Sequence, residues 1–202
     1  MQAAVAVLFI GLLLCAWPAS AQQEKEYSLT VAIHKDLYPP LPRGEIEYYL
    51  RKASDLMSFN NCPVKFTLKD LWTFDTTPRN IANAFDLEAA HSVPADIKVV
   101  QTVDFCKNRY DQSFVGCAWR PSFLQKTVIV EHRPIAHTYI LWVHEFGHTT
   151  GLEHRIDDHL ALMTPCGLKG FNRKISPEEC QCFLAGPGGC QMADLDLQCP
   201  VQ

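Results

Sequence analysis

The pattern of apolar and polar positions predicts strands in the first two thirds of the chain. Alternating or β-branched apolar runs indicate five of them, at residues 27–33, 64–68, 96–103, 114–119 and 127–131. Turn-forming residues separate most of these runs. No internal repeat accompanies them, and no second core-sized block separates off, so we expect one folded unit.

Helical spacing predicts two longer helices. The apolar residues of segment 45–59 recur at helical positions, which places an amphipathic helix between the first and second strands. Pro134 stands where a helix can begin, and the helical pattern runs from there to about Thr150. This second helix follows the fifth strand directly.

Two shorter segments predict further helices. Residues 75–78 can cap a short helix that runs through Phe85, and the segment 176–179 (SPEE) has an N-cap serine, a proline at the first helical position and a glutamate at the third. The order of elements predicts an α/β fold. We expect a single domain over residues 22–202 that ends in an irregular, cysteine-rich segment at about 185–202.

The N-terminus has the pattern of a secretory signal peptide over residues 1–21. Residues 3–17 are almost wholly apolar and residues 19–21 (ASA) form a small-residue cleavage site, although the first two residues carry no positive charge. A lipoprotein signal ending at Cys15 is disfavoured, because Leu14 is larger than the residue that usually precedes such a cysteine. The apolar run is short for a membrane span, and no other run approaches the required length. We therefore expect a secreted protein, extracellular or periplasmic, without stable membrane insertion.

The cysteine count suits an oxidising compartment. Eight cysteines remain once such a signal is removed: Cys62, Cys106, Cys117, Cys166, Cys180, Cys182, Cys190 and Cys199. They predict up to four disulfides, and the sequence leaves their pairing open. A metal cluster around Cys180 and Cys182 is the rival interpretation, but their separation differs from the C-x₂₋₄-C spacing of structural zinc sites. Disulfides are therefore preferred.

The segment VHEFGHTTGLEH places three histidines and a glutamate at spacings typical of a metal site. On a helix, His144 and His148 project from the same face, so both imidazoles can bind one ion at about 2.0–2.1 Å. Glu145 lies beside them, where it can contact a water molecule on the metal. Gly151 allows a sharp turn that would return His154 as a third ligand. Three histidines leave one position open, as in catalytic zinc sites.

A bare H-E-x-x-H occurs by chance in many chains, but the added glycine and third histidine argue against coincidence. HEFGHTTGLEH matches the extended motif H-E-x-x-H-x-x-G-x-x-H, and the chain therefore resembles the metzincin metalloproteases. Residues 161–165 (ALMTP) look like the Met-turn of that clan, which implies that Met163 forms the floor of the site without being a ligand. The short separation of His154 from Met163, and the segment ISPEE at 175–179, are most similar to the matrixin-like branch.

The resemblance also implies a fold. Metzincins have a twisted, mixed five-stranded sheet that is mostly parallel with one antiparallel edge strand, a helix between the first two strands, and the active-site helix after the fifth. The Met-turn and a C-terminal helix follow. Gly116, Cys117 and Ala118 lie in the segment that matches the edge strand, so the resemblance implies that their backbone binds extended substrate. The alternative is that they form an edge strand and nothing more.

The chain also departs from typical matrixins. A cysteine-switch propeptide is not recognisable between Ala21 and the first strand. Neither is the loop that supplies structural zinc and calcium sites in that branch, so calcium stays open. Arg155 follows the third histidine and Thr164 replaces the usual tyrosine, which implies a different wall of the S1′ pocket. The resemblance is therefore to a divergent metzincin.

Motif and resemblance together predict a secreted zinc-dependent endopeptidase. One zinc ion would be held by His144, His148 and His154, with Glu145 as general base. A non-catalytic metal-binding interaction module is one alternative, which the presence of Glu145 disfavours, and an amidase acting on a non-protein amide is another. The formal net charge of −4, without a run of Lys or Arg, gives no electrostatic footprint for nucleic acid. The expected partner is a peptide or protein substrate.

Overall fold

A computed structural model describes residues 23–106, 116–118, 127–164 and 173–190. Within these ranges the chain folds into a single sheet with helices packed against it, so the predicted α/β class is confirmed. The predicted signal peptide and the tail beyond residue 190 lie outside the described residues.

The sheet has five strands in the order β2–β1–β3–β5–β4. They are β1 (Lys25–His34), β2 (Val64–Phe74), β3 (Ile97–Val100), β4 (Gly116–Ala118) and β5 (Val128–Glu131). The first four in the spatial order run parallel, and β4 pairs antiparallel with β5. β3 and β5 are buried along their whole length, which explains why β-branched residues occupy three of the four positions in each of them.

In the described part of the chain, four α-helices accompany the sheet. They are α1 (Arg43–Phe59), α2 (Ala84–His91), α3 (Thr138–Thr149) and α4 (Pro177–Ala185). As the sequence predicts, α1 lies between β1 and β2, and α3 follows β5. Across the described part of the chain, no helix combines the length and the apolar character needed to cross a lipid bilayer.

The two faces of the sheet contribute to different cores. Successive residues of a strand point to opposite faces. Val31 and Ile33 of β1 therefore join a larger core together with α1, α3 and α4, whereas Ala32 joins a smaller core with α2. The helix that bears the zinc motif is thus held on the face of the sheet with the larger core.

Two predicted helix starts are wrong. The short helix begins at Ala84 and not within 75–78, because the Asn83 side chain accepts hydrogen bonds from the first backbone N–H groups of α2 at 2.9 and 3.0 Å. α3 begins at Thr138 and not at Pro134, because a turn precedes it in which the Thr138 N–H donates to the Ile135 carbonyl at 3.2 Å.

The predicted start of α4 is confirmed. Ser176 is its N-cap, and its hydroxyl accepts a hydrogen bond from the backbone N–H of Glu179 at 3.2 Å. The Glu179 carboxylate accepts one from the Ser176 N–H at 2.6 Å, which completes a capping box, and Pro177 occupies the first position.

Disulfides fix α4 to the rest of the domain. Cys180 pairs with Cys62, which follows α1, and Cys182 pairs with Cys190, which lies beyond the end of α4. The prediction of disulfides is confirmed for these four cysteines. The rival interpretation, a metal cluster around Cys180 and Cys182, is wrong because both sulfurs are already bonded to other cysteines. Cys166 and Cys199 lie outside the described residues.

A lysine is buried in the middle of the sheet. Lys98 on β3 is fully buried, and its Nζ donates a hydrogen bond to the His91 carbonyl at 3.4 Å. Burial lowers the pKa of Lys98 to about 7. Burial, followed by the neighbouring Lys98, lowers the pKa of His91 to about 3. This part of the smaller core therefore disfavours a positive charge.

We expect the free energy of unfolding to rise from about pH 7 to about pH 8.5. The unfolded chain keeps the Lys98 proton up to a pKa of 10.5, whereas the folded protein releases it at about 7. The unfolded state therefore binds more protons over this range, so stability increases with pH. Lys98→Met should remove this dependence and raise stability at pH 7 by about 2 kcal/mol. Urea midpoints at the two pH values measure both effects.

Lys65→Met, at an exposed lysine on β2, is the matched control and should leave the pH dependence unchanged. A wild-type midpoint that stays level or falls as the pH is raised would contradict the prediction.

Candidate metal centre

The three histidines of the motif converge on one point. His144 and His148 lie one turn apart on α3, and the chain returns His154 to them after the helix ends. The Nε2 atoms of His144 and His154 are 3.2 and 3.1 Å from Nε2 of His148. Two nitrogens bound tetrahedrally at 2.0–2.1 Å from one ion would lie about 3.3–3.4 Å apart. The triad therefore has the dimensions of a metal site and could hold an ion.

Two backbone carbonyls fix the tautomers of the helical histidines. Nδ1 of His144 lies 2.8 Å from the Leu162 carbonyl oxygen, and Nδ1 of His148 lies 2.8 Å from that of Leu152. Because a carbonyl only accepts hydrogen bonds, each Nδ1 carries a proton, and in the neutral form of each ring Nε2 presents a lone pair. Burial, and then the neighbouring His148, lower the pKa of the fully buried His144 to about 3, which keeps it neutral.

With these tautomers, His144 and His148 present ring nitrogens that can bind a metal ion, and they cannot hydrogen-bond to each other through Nε2. The Nε2 lone pairs of His144 and His148 repel each other at 3.2 Å. A cation bound between the two nitrogens would remove this repulsion, because each lone pair would then coordinate the cation. Imidazole nitrogens suit zinc among other transition metals, so the chemistry of the donors agrees with the predicted ion without distinguishing it from those metals.

The turn that returns His154 is built on Gly151. Its φ of 95° lies in the left-handed region, which glycine adopts at little cost. A Cβ at this position would also lie 1.9 Å from the carbonyl oxygen of Cys190. Both the backbone conformation and the close packing therefore require glycine, and the sharp turn predicted at this residue is present.

Met163 packs beneath α3 between its two histidines. The methionine is fully buried, and a Cβ on Gly147 would lie 2.7 Å from its Sδ. Its carbonyl accepts a hydrogen bond from the Arg155 N–H at 2.7 Å. The turn at residues 161–164 thus contacts α3 at Gly147 and the segment after His154 at Arg155.

Glu145 lies against the first residue of β4. Its side chain is 3% exposed, and a Cβ on Gly116 would stand 2.4 Å from its Oε1. Only a glycine at position 116 leaves room for the carboxylate. Cys117 and Ala118 continue β4, paired with β5. The structure therefore brings the predicted general base and the predicted substrate strand into contact.

Several contributions to the site were not predicted from the sequence. The carbonyls of Leu152 and Leu162 orient two ligands, and a backbone carbonyl has no signature in a sequence. Arg155 lies with its guanidinium 3.5 Å from the buried carboxylate of Glu179, which joins the segment after the third histidine to α4. Close packing at Gly147 could have been predicted from the sequence, because a glycine inside a helix usually allows another residue to pack closely against it.

Comparisons with family models and curated proteins do not assign this chain to a family. No family model matches the chain, and no curated protein matches it. Among solved structures, a chain from a structure of a chaperone–substrate complex matches with a TM-score of 0.44 at 13% identity, over 72% of this chain and 29% of that one. This chain thus spans less than a third of the length of that protein.

Proposed function

We propose that the protein is a secreted, zinc-dependent endopeptidase of the metzincin type. The observation that carries the proposal is the convergence of three imidazoles, two of them oriented by backbone carbonyls, with the buried Glu145 directly after His144 in α3. A triad of histidines leaves one coordination position open, which suits catalysis better than a structural role.

The arrangement of elements supports the same proposal. Four parallel strands with an antiparallel β4 at one end of the sheet, α1 between β1 and β2, and α3 after β5 agree with the order that the metzincin resemblance implies. Met163 beneath α3 agrees with a Met-turn. The disulfides support an oxidising compartment such as the cell exterior or a periplasm.

The residues of the chain suit hydrolysis of an amide. His144, His148 and His154 would hold the zinc ion, which would supply a Lewis acid that activates water. Glu145 directly follows His144 on α3 and is buried, and its carboxylate would accept a proton from the attacking water and donate it to the leaving amine. The backbone of Gly116–Ala118 is the last strand of the described sheet, paired with β5 on one side, and would bind an extended peptide on its other side.

The proposal is tested on the purified wild-type protein with a proteome-derived peptide library and a metal analysis. We expect one zinc ion per chain, cleavage of a subset of peptides, loss of cleavage on treatment with a chelator, and its return when zinc is restored. If the protein binds zinc but cleaves no member of the library, the endopeptidase proposal fails. Assays on non-protein amides then separate an amidase from a non-catalytic metal-binding module.

Gly116→Ala should lower kcat/KM for peptide cleavage by about 100-fold while the zinc content stays unchanged. The new methyl group would occupy the place of the Glu145 carboxylate, with 2.4 Å to its Oε1, so the carboxylate or β4 must move. The three heavy atoms nearest to the added group all belong to Glu145, so the carboxylate and not the histidine triad takes the main effect. Peptide cleavage rates and metal analysis of the same preparation measure the two effects.

A Glu145→Asp background supplies the control, because its shorter side chain leaves room for the methyl group added at position 116. The Gly116→Ala change should therefore reduce the residual activity of that background by much less than 100-fold. Equal losses in the two backgrounds would show that the effect does not come from the contact with Glu145.

A further inference from the structure

We propose that a short loop after α4 sets the affinity of the histidine triad for its metal, and that reduction of one disulfide weakens metal binding. The loop comprises residues 186–190 and is closed by the Cys182–Cys190 bond; we call it the capping loop. The inference rests on the metal site of the proposed function and not on peptide hydrolysis.

The capping loop closes the C-terminal end of α3. The last carbonyls of a helix have no partner within it and need one elsewhere. The Gly188 N–H donates to the Thr149 carbonyl at 2.8 Å, and the Cys190 N–H donates to the Thr150 carbonyl at 3.0 Å. Two carbonyls at the end of the motif helix are therefore satisfied by a segment that lies almost 40 residues further along the chain.

The same loop sets the position of the turn at Gly151. The Cys190 carbonyl oxygen packs against the Cα of Gly151 so closely that a Cβ would stand 1.9 Å from it. The turn is thus confined between the end of α3 and the backbone of Cys190. Any movement of Cys190 changes the space in which the chain turns towards His154.

One hydrogen bond connects the turn at Gly151 to a histidine of the triad. Leu152 follows Gly151 directly, and its carbonyl accepts the Nδ1–H of His148 at 2.8 Å. The Leu152 N–H also donates to the Gly147 carbonyl at 3.2 Å. The capping loop therefore acts on the orientation of His148 through Leu152 and on the return of His154 through Gly151, so its residues are positioning residues.

The disulfide is what fixes the loop to α4. Cys182 is buried in α4, whose Phe183 carbonyl accepts a hydrogen bond from the Tyr27 hydroxyl of β1. Cys190 is joined to this anchored helix through the S–S bond. A dithiol reductant would break that bond, leave a thiol on each cysteine and itself become a disulfide. The loop would then keep its hydrogen bonds to α3 but lose its covalent attachment.

The second disulfide provides a matched control. Cys62–Cys180 also holds α4, but it joins that helix to the end of α1, and it closes a span of 118 residues against 8 for Cys182–Cys190. Its loss should lower the stability of the fold more, because a longer closed loop restricts the unfolded chain more. Among the described residues it closes no segment that donates hydrogen bonds to the end of α3, so it should affect metal affinity less.

The test compares two double variants, Cys182→Ser with Cys190→Ser and Cys62→Ser with Cys180→Ser. Zinc affinity is measured by competition with a chromophoric chelator, and the geometry of the site by the visible spectrum of the cobalt-substituted protein. We expect the first variant to bind zinc about 10-fold more weakly than wild type with an altered cobalt spectrum. The second should keep the wild-type affinity within about twofold and the wild-type spectrum, despite a lower urea midpoint.

A measurement on the wild-type protein keeps the proposal testable should either variant fail to fold. If the bond raises zinc affinity 10-fold, zinc must favour the bond over its reduced form by the same factor. The reduction potential of Cys182–Cys190, followed by alkylation and mass spectrometry, should then be about 30 mV more negative with saturating zinc. That of Cys62–Cys180 should not change.

Equal losses of affinity in the two variants, or equal zinc effects on the two potentials, would overturn the inference and leave the proposed function intact. A wild-type protein that binds no metal would overturn both. If the Cys182/Cys190 variant lost the peptide cleavage of the wild type but kept its metal affinity, the inference would be contradicted. The cleavage by the wild type would still support the proposed peptidase.

Discussion

Glu145→Gln should reduce peptide cleavage by about 1,000-fold or more while one zinc ion per chain is retained. Glutamine has nearly the shape of glutamate, so it can keep the buried position against Gly116. It cannot accept a proton at neutral pH, and the proposed transfer from water to the leaving amine then has no carrier. The three histidines and the two carbonyls that orient His144 and His148 are left as they are, so metal binding should persist.

Glu178→Gln is the matched control, because it makes the same chemical change at an exposed glutamate of α4. It should leave both activity and zinc content within about twofold of wild type. If Glu145→Gln retained a tenth or more of the activity, Glu145 would not be the general base. If it lost zinc as well, the loss of activity would say nothing about proton transfer.

The part of the site that sequence could predict is the part held within one helix and one turn. The spacing of His144 and His148 requires only α-helical geometry, and Gly151 signals the turn that follows. Contacts of this kind depend on residues fewer than a dozen positions apart. They are therefore encoded by local spacing, which a single sequence displays.

Contacts between distant segments could not be read in the same way. Gly116 meets Glu145 only because β4 pairs with β5 and α3 returns across the sheet. Cys190 meets Gly151 only because α4 and its disulfide bring the end of the domain back to α3. A glycine or a cysteine in a sequence gives no sign of which of several partners will be placed beside it.

The errors in helix starts have the same origin at a smaller scale. Pro134 is compatible with a first helical position, but the turn that ends at Thr138 uses the same residues for hydrogen bonds outside a helix. Asp75 to Pro78 have residue types that suit a cap, yet Asn83 is the residue that satisfies the first N–H groups of α2. Residue propensities are compatible with several N-cap positions, and tertiary packing determines which of them the helix uses.

Gly151→Ala should lower the free energy of unfolding of the metal-free protein by about 3 kcal/mol or more. The φ of 95° is a strained conformation for alanine, and its methyl group would meet the Cys190 carbonyl oxygen. Relief of that contact must move either the turn that returns His154 or the loop that caps α3. We therefore expect weaker zinc binding in addition to lower stability, which urea unfolding and chelator competition measure separately.

Gly44→Ala separates this effect from the general consequences of replacing a glycine. Gly44 lies in the first turn of α1, and a Cβ there would meet nothing within 4 Å. Alanine should leave stability unchanged or raise it by up to about 1 kcal/mol, because it favours the helix and restricts the unfolded chain. If the two alanine variants had the same stability, the packing of Cys190 against Gly151 would not constrain the turn. If Gly151→Ala were unstable yet bound zinc as tightly as wild type once folded, the turn would support the fold without setting the geometry of the ligands.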